Sequence, residues 1–216
     1  MWIRTILKKI VYAWQAKKIR KSVTITGSHY VVGPTGSVVL SDGSTPEDIV
    51  LADHVFVFGS LMSQSHGKIY IGDHSLIGRH VMIESVESIS IGRGVTIAND
   101  VVVTDNNTHP ISPAFMEARA LSPLNSPLHL WKWSAHKPVS IGDFSWIGER
   151  SRICKGVTIG RYCVIAANSV VTKDVPDYCI AAGNPAKIVR TCTNEIPEPE
   201  GCGELEIYMK EDGARV

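Results

Sequence analysis

From Ile141 to Val171 an aliphatic residue recurs at every sixth position: Ile141, Ile147, Ile153, Ile159, Ile165 and Val171. A helix with 3.6 residues per turn would scatter these positions around its axis, and a half-buried strand would alternate at every second residue. A six-residue period instead predicts a solenoid in which each hexapeptide supplies one short strand and one corner. Gly follows the aliphatic at Gly142, Gly148 and Gly160. A small or β-branched residue sits four places after it, at Ser145, Ser151, Val157, Cys163, Ser169 and Val175. The small residue suits the corner, and the aliphatic points into a narrow core shared with the coils above and below. The period also runs through Ile71, Ile77 and Ile83. It resumes after a two-residue frame shift at Ile91, Ile97 and Val103. The shift predicts a small bulge or loop at residues 85 to 90, to which no chemistry is assigned.

Upstream the repeat is degenerate. Short strands are expected over residues 23–26, 30–32, 38–40 and 49–51, separated by the turn signals Gly33-Pro34, Gly36 and Asp42-Gly43. Residues 1–21 form an amphipathic basic helix: Ile3, Ile6, Leu7, Ile10 and Trp14 follow one stripe, with Arg4, Lys8, Lys9 and Lys18 off it. Such a stripe can cap the open first coil of a solenoid. It can equally lie on an anionic membrane surface, for which Trp2, Trp14 and the cluster Lys17, Lys18, Arg20 and Lys21 are suited. After Val103 the period stops until Ile141. The inserted loop, residues 104–140, holds Asp105, His109-Pro110, four further prolines, Trp131 and Trp133. A long irregular loop inside a regular solenoid is expected to carry the active site. Residues 191–216 are acidic and aperiodic, which predicts a mobile tail after a β-helix domain spanning 22–190.

The runs IGDFSWIGERSRICKGVTIGRYCVIAANSVVTKDVP and AAGNPAKIVR resemble the hexapeptide-repeat acyltransferases. Within that family the chain is most similar to the sugar O-acetyltransferases of the maltose, galactoside, nodulation and surface-polysaccharide type, over roughly residues 49–190. The resemblance implies an all-β fold, a left-handed parallel β-helix with three hexapeptides per triangular coil. It also implies a homotrimer that binds acetyl-coenzyme A between neighbouring subunits and transfers the acetyl group to a sugar, sugar-nucleotide or lipid-linked glycan hydroxyl. An amino sugar, serine or drug acceptor, or a non-catalytic scaffold, are the alternatives.

Charge narrows the partners. Residues 1–21 carry seven Lys or Arg and no acid, whereas the remainder is net negative, so nucleic-acid binding by the body is not expected. Five unpaired-looking cysteines, two of them at repeat positions, read as reduced packing residues in a cytoplasmic protein. No apolar run reaches the ~20 residues of a membrane span, and the N-terminus lacks the uninterrupted apolar stretch of a secretory signal.

Acetyl transfer to a hydroxyl requires a base, stabilisation of the oxyanion and alignment of two substrates. His109 is the candidate base: Thr108-His109-Pro110 at the head of the loop, with re-entry at Pro138-Val139-Ser140-Ile141-Gly142, resembles the catalytic loop of the sugar O-acetyltransferases, whose matching histidine is the general base. Asp105 could orient the His109 ring, bind acceptor hydroxyls, or shape the turn with Asn106 and Asn107. The polysaccharide branch often carries a second histidine near the first, where this chain has Asn107. Trp146 should face outward, and Trp146-Ile147-Gly148 matches the family's WIG, which lines the acetyl and pantetheine pocket; amides following Gly148 are candidate oxyanion donors. Ala166 and Ala167 leave room for the pantetheine arm. Lys173, Lys187 and Arg190 are placed as the family's phosphate-binding cations. No metal is expected, because His74 and His80 are one hexapeptide apart and fall on successive faces, and His129 and His136 lack ligand spacing.

Overall fold

The hexapeptide period becomes a triangular coil. The computed structural model describes residue 17 and residues 19 to 191. The expected N-terminal helix thus lies almost wholly outside the described residues, as does the acidic tail. Each coil contributes three strands. The first has β1 (Thr24–Ile25), β2 (Tyr30–Val32) and β3 (Ser37–Ser41), and the second β4 (Ile49–Leu51), β5 (Val55–Val57) and β6 (Ser60–Gln64). The third has β7 (Lys68–Ile71), β8 (Leu76–Ile77) and β9 (Met82–Ser85), and the fourth β10 (Ser88–Ile91), β11 (Thr96–Ile97) and β12 (Val102–Thr104). After the insertion come β13 (Val139–Ile141), β14 (Trp146–Ile147) and β15 (Arg152–Ile153), then β16 (Thr158–Ile159), β17 (Val164–Ile165) and β18 (Val170–Val171). A closing hairpin of β19 (Cys179–Gly183) and β20 (Ala186–Thr191) extends one face.

Every third strand stacks in one sheet. The first sheet runs β1-β4-β7-β10-β13-β16, the second β2-β5-β8-β11-β14-β17-β19-β20, and the third β18-β15-β12-β9-β6-β3. Pairing is parallel except between β19 and β20. This is the solenoid the period predicts, in the left-handed parallel β-helix form that the resemblance to hexapeptide-repeat acyltransferases implies. It begins a coil earlier than the recognisable repeat, since Thr24 already pairs with Val50.

The core is three columns of aliphatic side chains, one per face: Ile71, Ile91, Ile141 and Ile159; Ile77, Ile97, Ile147 and Ile165; Ile83, Val103, Ile153 and Val171. None is more than 1% exposed, and each burial contributes about 1.5–3 kcal/mol. At the corners the small residues link coils as well as fill space: the Ser145 hydroxyl donates to the Gly160 carbonyl at 2.7 Å and accepts from the Cys163 amide at 2.9 Å. The tight turn places a left-handed residue at many corners. Along the edge between the first and second sheets these are His54, His74, Gly94, Phe144, Tyr162 and Tyr178. Their aromatic rings stack on each other from coil to coil on both sides of Gly94. At Gly94 a Cβ would lie 2.6 Å from the Phe144 ring.

The three flat faces differ in their outward rows. On the first sheet the row is Thr24, Val50, Tyr70, Ser90, Ser140 and Thr158. On the second it is Val31, Phe56, Leu76, Thr96, Trp146, Val164 and Ile180, apolar but for one threonine. Among the described residues no helix is long and apolar enough to cross a membrane.

Candidate active site

The insertion leaves the prism after β12 and returns at β13. It is not wholly irregular: residues Pro113–Leu121 form a helix, α1, and short 3-10 turns follow at Pro127–His129 and Trp131–Trp133. Pro113 at the first helical turn pre-sets the backbone, and Ala, Met, Glu, Arg and Leu propagate it. A search for the six-residue period passes over so short a helix. The returning strand of the loop runs down the edge between the third and first sheets. There the Trp131 amide donates to Gln64 Oε1, Lys132 pairs with Asp42 at 2.7 Å, and His136 Nδ1 lies 2.8 Å from Glu87 Oε2. At the neck the Asn107 amide donates to Ala135 O, and the Lys137 amide to Asp105 O.

Asp105 is fully buried. Its carboxylate accepts the Ser85 hydroxyl (2.7 Å), the Val86 amide (3.0 Å), the Glu87 amide (2.9 Å) and the Asn106 side-chain amide (3.1 Å). The Val86 and Glu87 amides form the two-residue corner between β9 and β10, which Ser85 precedes and where the frame shift predicts a bulge. The extra corner is therefore closed by a side chain from the next coil. A carboxylate with both oxygens so occupied has no contact with the His109 ring, and of its three sequence-based readings only shaping the local turn matches these partners. His109 lies just beyond the neck, exposed, after Thr108 in the left-handed conformation. Its amide donates to Asn107 O at 2.7 Å, and its ring hydrogen-bonds no group among the described residues. The carboxylate–imidazole pair at the loop neck is instead Glu87–His136.

Glu84 projects outward from the third sheet, level with Thr104. Partial burial pushes its carboxyl above the usual range, partly offset by Arg152. In β9 its side chain lies between the buried Ile83 and Ser85 and is itself half-buried.

The residues expected to bind coenzyme divide between two places. Trp146 is outward and half-exposed on the second sheet, in one file with Val164, Ile180 and Arg190. Three strand spacings separate Trp146 from Arg190, about 14 Å. Gly148 follows β14, with Ala166 and Ala167 directly above it. A Cβ on Gly148 would lie 2.6 Å from the Ala167 nitrogen and the Ile165 carbonyl, so the coils pass too closely for any side chain. The Gly148 amide donates to Ile165 O and the Arg150 amide to Asn99 O; the Glu149 amide between them bonds no group among the described residues. Lys173 follows β18, while Lys187 and Arg190 sit on β20. All three are exposed, and none forms an ion pair among the described residues.

Residues 138–173 match the bacterial transferase hexapeptide (six repeats) family, and residues 68–105 the hexapeptide repeat of succinyl-transferase. The two matches flank the insertion on both sides and coincide with coils seen in the structure. The chain thus carries hexapeptide repeats similar to those of bacterial transferases on both sides of the insertion. Among similar proteins, a putative lipopolysaccharide biosynthesis O-acetyl transferase of Escherichia coli is 34% identical over 60% of this chain and 63% of its own length. A putative acetyltransferase of Saccharomyces cerevisiae is 38% identical over 59% of this chain and 58% of its own. The chain thus spans about three fifths of the length of these curated relatives. The structure is also similar to AntD, an N-acyltransferase from Bacillus cereus solved with dTDP and 3-hydroxybutyryl-CoA. The TM-score is 0.63 at 19% identity, covering 93% of this chain and 95% of that one, a likeness of fold.

In this hexapeptide-repeat protein, sequence spacing missed two groupings. Glu87 and His136 are 49 residues apart and meet only because the insertion folds back along its own prism. His29, Asp53 and His54 meet because the degenerate first coil stacks on the second. His74 and His80 do fall on different edges: His74 stacks on His54, and His80 pairs with Asp100 at 3.1 Å.

Proposed function

We propose that this protein is an acetyl-coenzyme A dependent O-acetyltransferase acting on a sugar or surface-polysaccharide precursor, with His109 as general base. The observation that carries the reading is an exposed imidazole, unengaged among the described residues, at the head of the long insertion in the hexapeptide prism. A neutral imidazole suits proton abstraction from a hydroxyl, a role worth about 10²–10⁴ in rate. The donor follows from the family and from acyl-CoA in the fold relative AntD. The sugar acceptor follows from the lipopolysaccharide relative. Trp146 would line the acetyl and pantetheine channel, the Glu149 amide after Gly148 would face the oxyanion, Ala166 and Ala167 would leave room for the arm, and Lys173, Lys187 and Arg190 would take the phosphates.

The working unit in this reading is a homotrimer. The apolar outward file of the second sheet is the face a neighbouring subunit would cover, and it includes Trp146, so the coenzyme site would lie where subunits meet. Residues 1–21 would hold the trimer at the inner face of the membrane in the cytoplasm, where a lipid-linked glycan is presented.

A second base is favoured by one observation: His136, not His109, has a carboxylate partner, Glu87 at 2.8 Å. The test is thiol release from acetyl-coenzyme A across sugars, sugar nucleotides and lipid-linked glycans, repeated with His109→Ala and His136→Ala. Loss of turnover in His109→Ala at unchanged coenzyme affinity supports the leading reading. Loss confined to His136→Ala moves the base to the Glu87 pair. No thiol release with any acceptor, together with no coenzyme affinity, returns the protein to a scaffold.

A further inference from the structure

Away from the insertion, on the edge between the first and second sheets, three Lewis-basic side chains of the first two coils converge. His29 precedes β2, and Asp53 and His54 precede β5. One ligand atom of each lies within 4.8 Å of the other two. The Asp53 carboxylate is the hub: His54 Nδ1 is 3.1 Å from its Oδ2 and His29 Nδ1 is 3.6 Å from its Oδ1. The two imidazoles stack with centroids 4.5 Å apart, and His74 continues the stack at 4.7 Å.

Those separations have a chemical meaning. Two ligands on one tetrahedral Zn²⁺, each bonded at about 2.0–2.1 Å, stand about 3.3 Å apart. The His54–Asp53 pair is near that spacing through Oδ2, and the His29–Asp53 pair is slightly wider through Oδ1. A common geometry on one ion would need the His29 ring, whose side chain is 68% exposed, to turn. The backbone amides of Ser28 and His29 donate to Asp53 Oδ1 at 2.8 and 2.7 Å, fixing the carboxylate from behind. The His29 and His54 rings offer nitrogen donors, and among the described residues no Lys or Arg forms an ion pair with Asp53. Two imidazoles and a carboxylate form a donor set suited to zinc and neighbouring transition ions rather than to magnesium or calcium.

We propose that His29, Asp53 and His54 form a surface site for one divalent transition-metal ion of the zinc type, with water in the fourth position. The site is remote from the insertion and takes no part in acyl transfer; it stands independently of the proposed activity. Its consequence is mechanical. His29 sits in the degenerate first coil and its two partners in the second, so a bound ion staples the coil with the weakest repeat to the regular prism. Ligands provided only by the folded state make metal binding add to folding stability.

The probe is Zn²⁺ alone, titrated into tag-free, chelator-stripped full-length protein. The expected result is one saturable site per chain and a thermal midpoint that rises with free Zn²⁺. The affinity should fall by more than tenfold in His29→Ala and in His54→Asn. Asn tolerates the left-handed backbone of position 54, so that variant should keep the fold, as circular dichroism would check. His80→Ala and His136→Ala should leave it unchanged. The proposal is overturned if no saturable binding occurs, if binding survives in both folded ligand variants, or if a control histidine abolishes it equally.

Discussion

The buried carboxylate of Asp105 offers the sharpest separation of architecture from chemistry. Asp105→Ala removes the acceptor of the Ser85 hydroxyl and of the Val86 and Glu87 amides, all at the corner between β9 and β10. The Val86 amide is buried and has no other acceptor at this corner. Each stranded buried donor costs about 1–3 kcal/mol. With two amides affected, and the hydroxyl free to turn back to Lys68 O at 3.0 Å, the loss should be roughly 2–5 kcal/mol. For a chain of this size one kcal/mol moves the midpoint by about 2–4 °C, so the fall should be roughly 4–20 °C. Asp105→Asn should fall less, since it keeps one acceptor oxygen while setting an amide donor against donors. Differential scanning calorimetry reads the midpoints, and thiol release measured well below the lower midpoint reads turnover per folded chain. Architecture predicts large midpoint shifts with turnover close to wild type. An unchanged midpoint with turnover down a hundredfold would refute the argument and restore Asp105 to the catalytic machinery.

Turnover in His109→Ala should fall by about 10²–10⁴ with coenzyme affinity and melting unchanged, as read by steady-state kinetics and calorimetry. Leu76→Glu, which sets a charge in the apolar outward file of the second sheet, should convert a trimer to monomers by light scattering; an unaltered mass would place the interface on another face. Gly148→Ala should cost about 1–3 kcal/mol, because the new Cβ meets backbone rather than a yielding side chain. Burial raises the Asp48 carboxyl, but Lys68, the Thr45 amide and His66 together leave it below its ordinary value. Its contribution is therefore full above the unfolded carboxylate pKa of about 3.9 and is lost as pH falls through the lower folded value. The stability gap between wild type and Asp48→Asn, followed by denaturant titration, should accordingly shrink below about pH 3.9.

Along the chain, the aliphatic at every sixth position announced by itself a solenoid with one short strand and one corner per hexapeptide. Its triangular form entered through the family resemblance, and the stacking of every third strand bears it out. The outward direction of Trp146 followed from the same count, and so did the separation of His74 from His80. The frame shift announced an irregular corner without revealing what closes it. A count along one strand cannot see Asp105, which arrives from the next coil. Local order in the insertion escaped for another reason: nine residues of helix carry too few turns to register against a six-residue period. Tertiary structure alone decided which carboxylate meets which imidazole. Asp105 and His109 are four residues apart yet diverge, because one is drawn into the corner and the other follows the loop outward. Glu87 and His136 are joined by chain return, and His29 meets Asp53 and His54 by coil stacking. Repeat periodicity is a property of the backbone path and can be read locally. Pairings between polar side chains depend on where separate coils and a returning loop come within about 3 Å of one another, a distance set by the completed fold.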